Sequence, residues 1–159
     1  MLVIVIFILF SSYFTDFFCS FFTDEQIDFA TDPRCADINN LTGLLKFFFR
    51  ELPEPLFTYD LYDQFLDSSR LPDLDERIAA LRRTVQLLPP SHLAVLKYMT
   101  AHLLRVASLA SVNRMEISNL SIVFGPTLLR ARTENFMNIG VQNGVVEQIL
   151  THHARIMMP

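Results

Sequence analysis

Two basic side chains, Lys46 and Arg50, stand four residues apart in an apolar stretch that begins at Leu44. In a helix, residues at i and i+4 lie on the same face, so the two cations would act together. Pro53 and Pro55 follow, and because neither can continue a helix, they predict a rigid corner one turn beyond the pair. Such a cationic rim suits an anion or an acidic partner. An amphipathic helix with two solvated cations is the alternative that this segment alone leaves open.

The other polar residues do not form a recognisable catalytic or metal site. The acidic residues fall on caps or outward faces of the predicted helices, and no Ser or Cys has the flanking motif of a nucleophile. His152 and His153 are adjacent, so on a helix they point about 100° apart and cannot share one ion. Cys19 and Cys35 are too few for a disulfide framework and are predicted to be free thiols. The sequence therefore predicts no active site of its own, no metal, no cofactor and a cytoplasmic location.

Charge excludes a further class of function. The net charge is −4, and the 13 basic residues form neither a stripe nor an aromatic-interleaved run. Nucleic-acid binding is therefore not expected, because it needs a basic surface that neutralises phosphates. Any basic partner surface must be local.

Apolar periodicity predicts an all-α bundle. No strand alternation of useful length appears after residue 30, whereas caps and 3.6-residue spacing recur. The predicted helices cover residues 41–51 and 59–68, a segment capped by Asp73 and Glu76 that runs to Pro89, a segment from about Ser91 to Leu109, and a buried segment from about Met115 that is stopped by Gly125 and Pro126.

Two of these segments carry a family resemblance. The motifs LLKFFFRELPEPL at 44–56 and NLSIVFGPTLL at 119–129 closely resemble the two core motifs of the Rho GTPase-activating (RhoGAP) domain, and the resemblance extends from about Asp37 to about Ile156. It implies a RhoGAP-like helical bundle that binds a Rho-family small GTPase in its GTP-bound state. It also implies a regulator that promotes GTP hydrolysis by this partner in signal transduction.

The resemblance also assigns roles to individual residues. Lys46 matches the lysine that supports the family's arginine-finger loop and the interface, and Arg50 matches the arginine that holds this loop. Asn119 matches the asparagine that contacts the GTPase near its switch region. Pro126 matches the proline that ends the helix beside that surface.

The arginine finger itself is not found in this sequence. In the family it lies in a glycine-flanked loop well before the lysine, but here no Lys or Arg precedes Arg34, which lacks flanking glycines. The resemblance therefore implies a bundle truncated at its N-terminal side, with no catalytic residue and impaired activity. A non-catalytic GTPase-binding or scaffolding module is the alternative.

The N-terminal segment differs in composition from the rest of the chain. Eight of the fifteen Phe residues fall within the first 29 positions. The sequence predicts an atypical hydrophobic segment at 1–30 and a partial RhoGAP-like domain at 31–159. As a helix, residues 2–22 would be about 31 Å long, enough to cross a bilayer core of about 30 Å. A membrane or signal anchor, a native soluble helix and a segment foreign to the domain all stay open. A small membrane-anchored protein is thus a further alternative, with membrane contact only through 2–22.

Overall fold

A computed structural model of the protein describes residues 38–133 and 136–157. These residues contain helices and turns but no strand, which confirms the all-α prediction. They divide into two compact units between Phe47 and Phe48. Numbered over the described residues, the elements are α1 (Ile38–Glu51), α2 (Tyr62–Ser69), α3 (Leu74–Gln86), α4 (Pro90–Ala107), α5 (Ala110–Asn113), α6 (Ile117–Leu128), a 3-10 turn (Phe136–Asn138), α7 (Ile139–Thr151) and α8 (His153–Met157).

Local chemistry sets the helix boundaries. Asp73 is the N-cap of α3 and accepts the Glu76 N–H at 2.9 Å, as the capping pattern predicted. Pro90 occupies the first turn of α4, where its missing N–H is not needed. By contrast, α2 begins at Tyr62 rather than residue 59, because residues 59–61 form a turn that follows Thr58, whose φ is 56°.

The core of the second unit is built from the inward stripes of its helices. The apolar residues at 78, 81 and 85 of α3 recur at helical spacing and are all buried, as is Leu88 just beyond the helix, and on α4 Met99 is fully buried. Leu93 and Val106 of α4 are only half-buried. Helices α6 and α7 pack against each other, as do α2 and α3. This packing supplies the rigid frame for the surface described below.

The prediction that Gly125 and Pro126 stop their helix is wrong, because α6 continues through both to Leu128. Pro126 lies in the last turn, where its missing N–H removes only one hydrogen bond, and the Leu129 N–H still reaches the Gly125 carbonyl at 3.0 Å. A Cβ on Gly125 would lie 2.5 Å from Asn143 Oδ1 and 2.9 Å from Asn143 Cα. Gly125 is therefore needed for the close approach of α7 and not for ending a helix.

Several predictions lie outside the described residues. They are the boundary at residue 30, the apolar segment 2–22, both cysteines and Arg34. Among the helices of 38–133 and 136–157, none has the length and apolar character needed to cross a bilayer.

Candidate functional site

A tight corner follows α1, where the chain passes through Pro53 and Pro55. Tyr59 donates its backbone N–H to the Glu54 carboxylate at 2.6 Å, and Thr58 donates its N–H to the Pro55 carbonyl at 2.9 Å. The φ of Thr58 lies in the left-handed region, which a β-branched residue rarely occupies. The corner is therefore closed by local hydrogen bonds that hold one residue in a strained conformation.

Two neighbouring helices also hold the corner. Phe57 donates its N–H to the Leu128 carbonyl at the end of α6, at 3.2 Å, and Nδ1 of His92 in α4 lies 3.0 Å from the Leu56 carbonyl. The buried Phe57 ring meets Phe65 edge to face, with centroids 4.7 Å apart. The position of the corner is thus fixed by the core of the second unit.

Arg130, just beyond α6, joins the corner to the end of α1. Its guanidinium donates to the carbonyl of Arg50 and, at 2.5 Å, to the carbonyl of Leu52. It also lies 5.7 Å from the centroid of the Tyr59 ring, within the range of a cation–π contact. The end of α6 and the end of α1 are therefore linked by a charged, multidentate contact.

The side chain of Arg50 faces solvent beside this fixed corner. Its Nε lies 3.6 Å from the Glu51 carboxylate, in a pair so exposed that it contributes little to stability. Lys46 is half-buried and belongs to the unit that ends at Phe47. Arg50 is thus an exposed cation whose backbone is held in place from a distant part of the chain.

Helix α6 presents a mixed polar and apolar face. Asn119 is exposed in its first turn and donates Nδ2–H to the Arg114 carbonyl at 3.0 Å. Ile122 and Pro126 follow at i+3 and i+7, so the three share one face of the helix. Ile122 is 60% exposed and Pro126 is half-buried. Exposed apolar surface flanked by an amide is suited to contact with a protein.

The family model of the RhoGAP domain matches residues 16–133, which is more than half of the chain. The chain belongs to the RhoGAP domain family. Mouse Rho GTPase-activating protein 21 is 42% identical over 126 residues, which cover 77% of this chain and 6% of that protein. Human N-chimaerin is 45% identical over 118 residues, covering 72% of this chain and 26% of N-chimaerin. The chain therefore spans only a small part of the length of these curated relatives.

Solved RhoGAP-related structures have the same fold. Human Rho GTPase activating protein 15 superposes with a TM-score of 0.77 at 40% identity, covering 84% of this chain and 64% of that chain. The BH domain from GRAF, the GTPase regulator associated with focal adhesion kinase, superposes with a TM-score of 0.76 at 30% identity. That match covers 91% of this chain and 78% of the BH domain chain. These similarities confirm the predicted resemblance to the RhoGAP family and the predicted all-α fold.

The RhoGAP match begins earlier than the motif resemblance did. It starts at residue 16, whereas the motifs supported a resemblance only from about Asp37, so it includes part of the segment predicted to be atypical. The division at residue 30 stays a prediction, and so does truncation of the bundle at its N-terminal side.

The structure distributes the four predicted RhoGAP site residues over two elements of the chain. Asn119 and Pro126 lie on one face of α6, and Lys46 and Arg50 lie on α1. Their roles in binding stay predictions. The sequence analysis missed Arg130, which directly follows the second motif and whose contacts span 80 residues of sequence. Only its position next to that motif could have drawn attention to it.

Two histidines outside these site residues, His102 and His153, have pKa values below the ordinary value of a histidine. Burial, with a smaller contribution from Arg105, lowers the pKa of His102 to about 4. Burial also lowers the pKa of His153, whose Nε2 lies 3.2 Å from Thr100 Oγ1. Within 38–133 and 136–157, no three His, Cys, Asp or Glu residues come together as a possible metal site.

Proposed function

We propose that this chain is a GTPase-binding RhoGAP domain that docks a Rho-family small GTPase in its GTP-bound state. The proposed surface combines Arg50 at the end of α1 with Asn119, Ile122 and Pro126 on α6. The binding role of Lys46 is proposed from the RhoGAP resemblance alone. The observation that carries the proposal is the link between the ends of α1 and α6. Arg130 and the Phe57 backbone hold both ends together, so that a cation and a mixed helix face are presented from one scaffold.

The proposed division of labour leaves the nucleotide with the partner. The GTPase holds GTP and magnesium and supplies the attacking water, while the RhoGAP surface binds and orders the partner's switch region. In such reactions an arginine supplied in trans stabilises the charge of the transferring phosphoryl group and is worth roughly 10³- to 10⁵-fold in rate. This is about 4–7 kcal/mol of transition-state stabilisation.

We further propose that this chain binds its GTPase but accelerates hydrolysis little. No Lys or Arg precedes Arg34 in the sequence, and Arg34 lacks the glycines that flank a finger loop. Arg50 and Asn119 can bind the GTPase and order its switch region, but they cannot replace the charge of the arginine finger. A non-catalytic GTPase-binding or scaffolding role is the second candidate, and the same sequence feature favours it.

The proposed location is the cytoplasm, and membrane association would depend only on residues 2–22. These residues fall outside the described part of the chain.

Two measurements test the proposed function. Affinity is measured for Rho-type and Rac-type GTPases loaded with GDP or with a non-hydrolysable GTP analogue, and single-turnover hydrolysis is followed with GTP. We expect preferential binding to the GTP-like form and less than about a hundredfold acceleration, because the trans arginine supplies most of the effect. No binding to either nucleotide state would refute the proposed function. A hundredfold acceleration or more would refute the loss of catalysis.

Substitution of Arg50 tests the surface itself. Arg50→Ala is expected to weaken binding of the GTP-like form by roughly tenfold or more, which is the effect of losing a charge-assisted contact. Arg82→Ala removes an exposed arginine from α3, a helix that contributes no residue to the proposed surface, and should leave affinity unchanged. Equal effects of the two substitutions would contradict the assignment.

A further inference from the structure

Arg130 contacts backbone carbonyls that lie far from it in the sequence. Its guanidinium reaches back across 80 and 78 residues of sequence to the carbonyls of Arg50 and Leu52. These carbonyls lie at and just beyond the last turn of α1, where a helix leaves its final C=O groups without intrahelical partners. A cation there also interacts favourably with the helix dipole. Arg130 therefore caps α1 from outside.

The cap is partly buried, which distinguishes it from a surface ion pair. The Nε of Arg130 is buried, and the guanidinium lies 5.7 Å from the Tyr59 ring centroid. The Tyr59 backbone is itself held by Glu54 at 2.6 Å. Because a guanidinium is a planar fork with fixed donor directions, two carbonyls and one ring leave it little freedom.

Arg132 provides a contrast within the same cluster. Its guanidinium lies 4.9 Å from the centroid of the same Tyr59 ring, and it pairs with the Asp60 carboxylate at 3.0 Å. Both partners of that pair are well exposed. No contact of Arg132 with a backbone carbonyl of α1 occurs among the described hydrogen bonds. Arg132 is therefore a matched control, because it contacts the same Tyr59 ring as Arg130 but does not cap α1.

We propose that Arg130 is a positioning residue for GTPase binding, acting through Arg50. By binding the carbonyls at the end of α1, it fixes the backbone from which the Arg50 side chain extends. Arg130 lies two residues beyond the end of α6. It therefore holds Arg50 in a constant position relative to the face of α6 that carries Asn119. This inference rests on the proposed function, since it concerns how the proposed surface is assembled.

A double-mutant cycle on GTPase affinity tests this role. Arg130→Ala should weaken binding of the GTP-like form by roughly tenfold, although Arg130 does not itself contact the partner. In that background, adding Arg50→Ala should cost less than about threefold more, because Arg50 is already misplaced. Arg132→Ala should change affinity by less than about twofold and leave the Arg50→Ala effect intact.

A role limited to stability predicts a different pattern. Arg130→Ala would then lower the melting temperature, while Arg50→Ala would have the same fold effect on affinity in both backgrounds, and that result would overturn the inference. It would leave the proposed function standing. If Arg50→Ala has no effect even in the unsubstituted chain, the assignment of Arg50 to the surface fails, and the inference fails with it. The proposed function fails only if the unsubstituted chain binds neither nucleotide form of the GTPase.

A conservative variant keeps the test valid if Arg130→Ala does not fold. Arg130→Lys keeps the charge but cannot present two donors in a fork, so it should restore folding and only part of the affinity. The cycle is then run with Arg130→Lys and Arg50→Ala. Backbone amide exchange at Phe57 and Tyr59 should rise in Arg130→Lys, and full affinity with unchanged exchange would overturn the proposal.

Discussion

At the corner after α1, local groups and groups from distant parts of the sequence bind the backbone of residues 50–59 through hydrogen bonds. At the crossing of α6 and α7, by contrast, two helix backbones come close together. The corner depends on directional contacts, chiefly the Arg130 guanidinium and the Glu54 carboxylate. The crossing depends on the absence of a side chain at Gly125. The two regions should therefore fail for different reasons, one through lost hydrogen bonds and the other through added volume.

This difference also relates to function. The crossing belongs to the core, and Val145 and Val146 of α7 are buried there. The corner lies at the surface, where the Arg50 side chain faces solvent. In the proposed RhoGAP surface the crossing holds α6 in place, and the corner orients the cation.

The largest expected effect concerns the helical core, which should lose stability at acidic pH. His102 on α4 is buried, and its pKa of about 4 lies below the ordinary value of 6.5. Between these values the unfolded chain binds a proton that the folded chain does not, so stability is fully present above pH 6.5 and falls as pH falls toward 4. The difference corresponds to roughly 3 kcal/mol at the lower end.

Denaturant unfolding between pH 7 and pH 4 measures this loss in the unsubstituted chain and in His102→Gln. The variant lacks this titration, and it keeps His153 and all the carboxylates as in the parent chain. The two pH profiles should diverge below pH 6.5. Parallel profiles would contradict the assignment to His102.

The crossing itself is tested by Gly125→Ala. The added Cβ would lie 2.5 Å from Asn143 Oδ1 and 2.9 Å from the Asn143 backbone, so α6 and α7 must separate. We expect a loss of roughly 2 kcal/mol in the free energy of unfolding, although alanine favours a helix by about 1 kcal/mol. Gly144→Ala is the matched control, since nothing lies within 4 Å of its Cβ position. It should stabilise the chain, and equal losses for both variants would contradict the close approach.

Much of the helical framework could be predicted from the sequence, because it follows from local signals. The cap at Asp73 and the apolar stripe of α3 depend on neighbouring residues, and both were predicted. The end of α6 was not, because Gly125 and Pro126 have the local pattern of a helix stop. Their actual roles depend on Asn143, a distant residue in α7 that no local pattern reveals.

In the candidate site, too, some residues could be predicted from the sequence and others could not. Arg50 and Asn119 could be singled out because they belong to two motifs that resemble those of the RhoGAP family. Arg130 could not, because its function depends on contacts 78 to 80 residues away in sequence. The strain at Thr58 was also missed, since a threonine gives no local sign of a positive φ.

The smallest expected effect concerns this strained residue, and it tests whether the corner stores conformational energy. Thr58 has a φ of 56°, and its buried Oγ1 has no hydrogen-bond partner among the described residues. Thr58→Gly removes the strain and the buried hydroxyl but loses a buried methyl group and adds backbone entropy to the unfolded chain. These opposing terms of about 1–2 kcal/mol each should leave a net stabilisation of about 0.5 kcal/mol. Thr151→Gly, at an exposed helical position, should instead destabilise by a similar amount, so a loss of stability in Thr58→Gly as large as in Thr151→Gly would show that the corner is not strained.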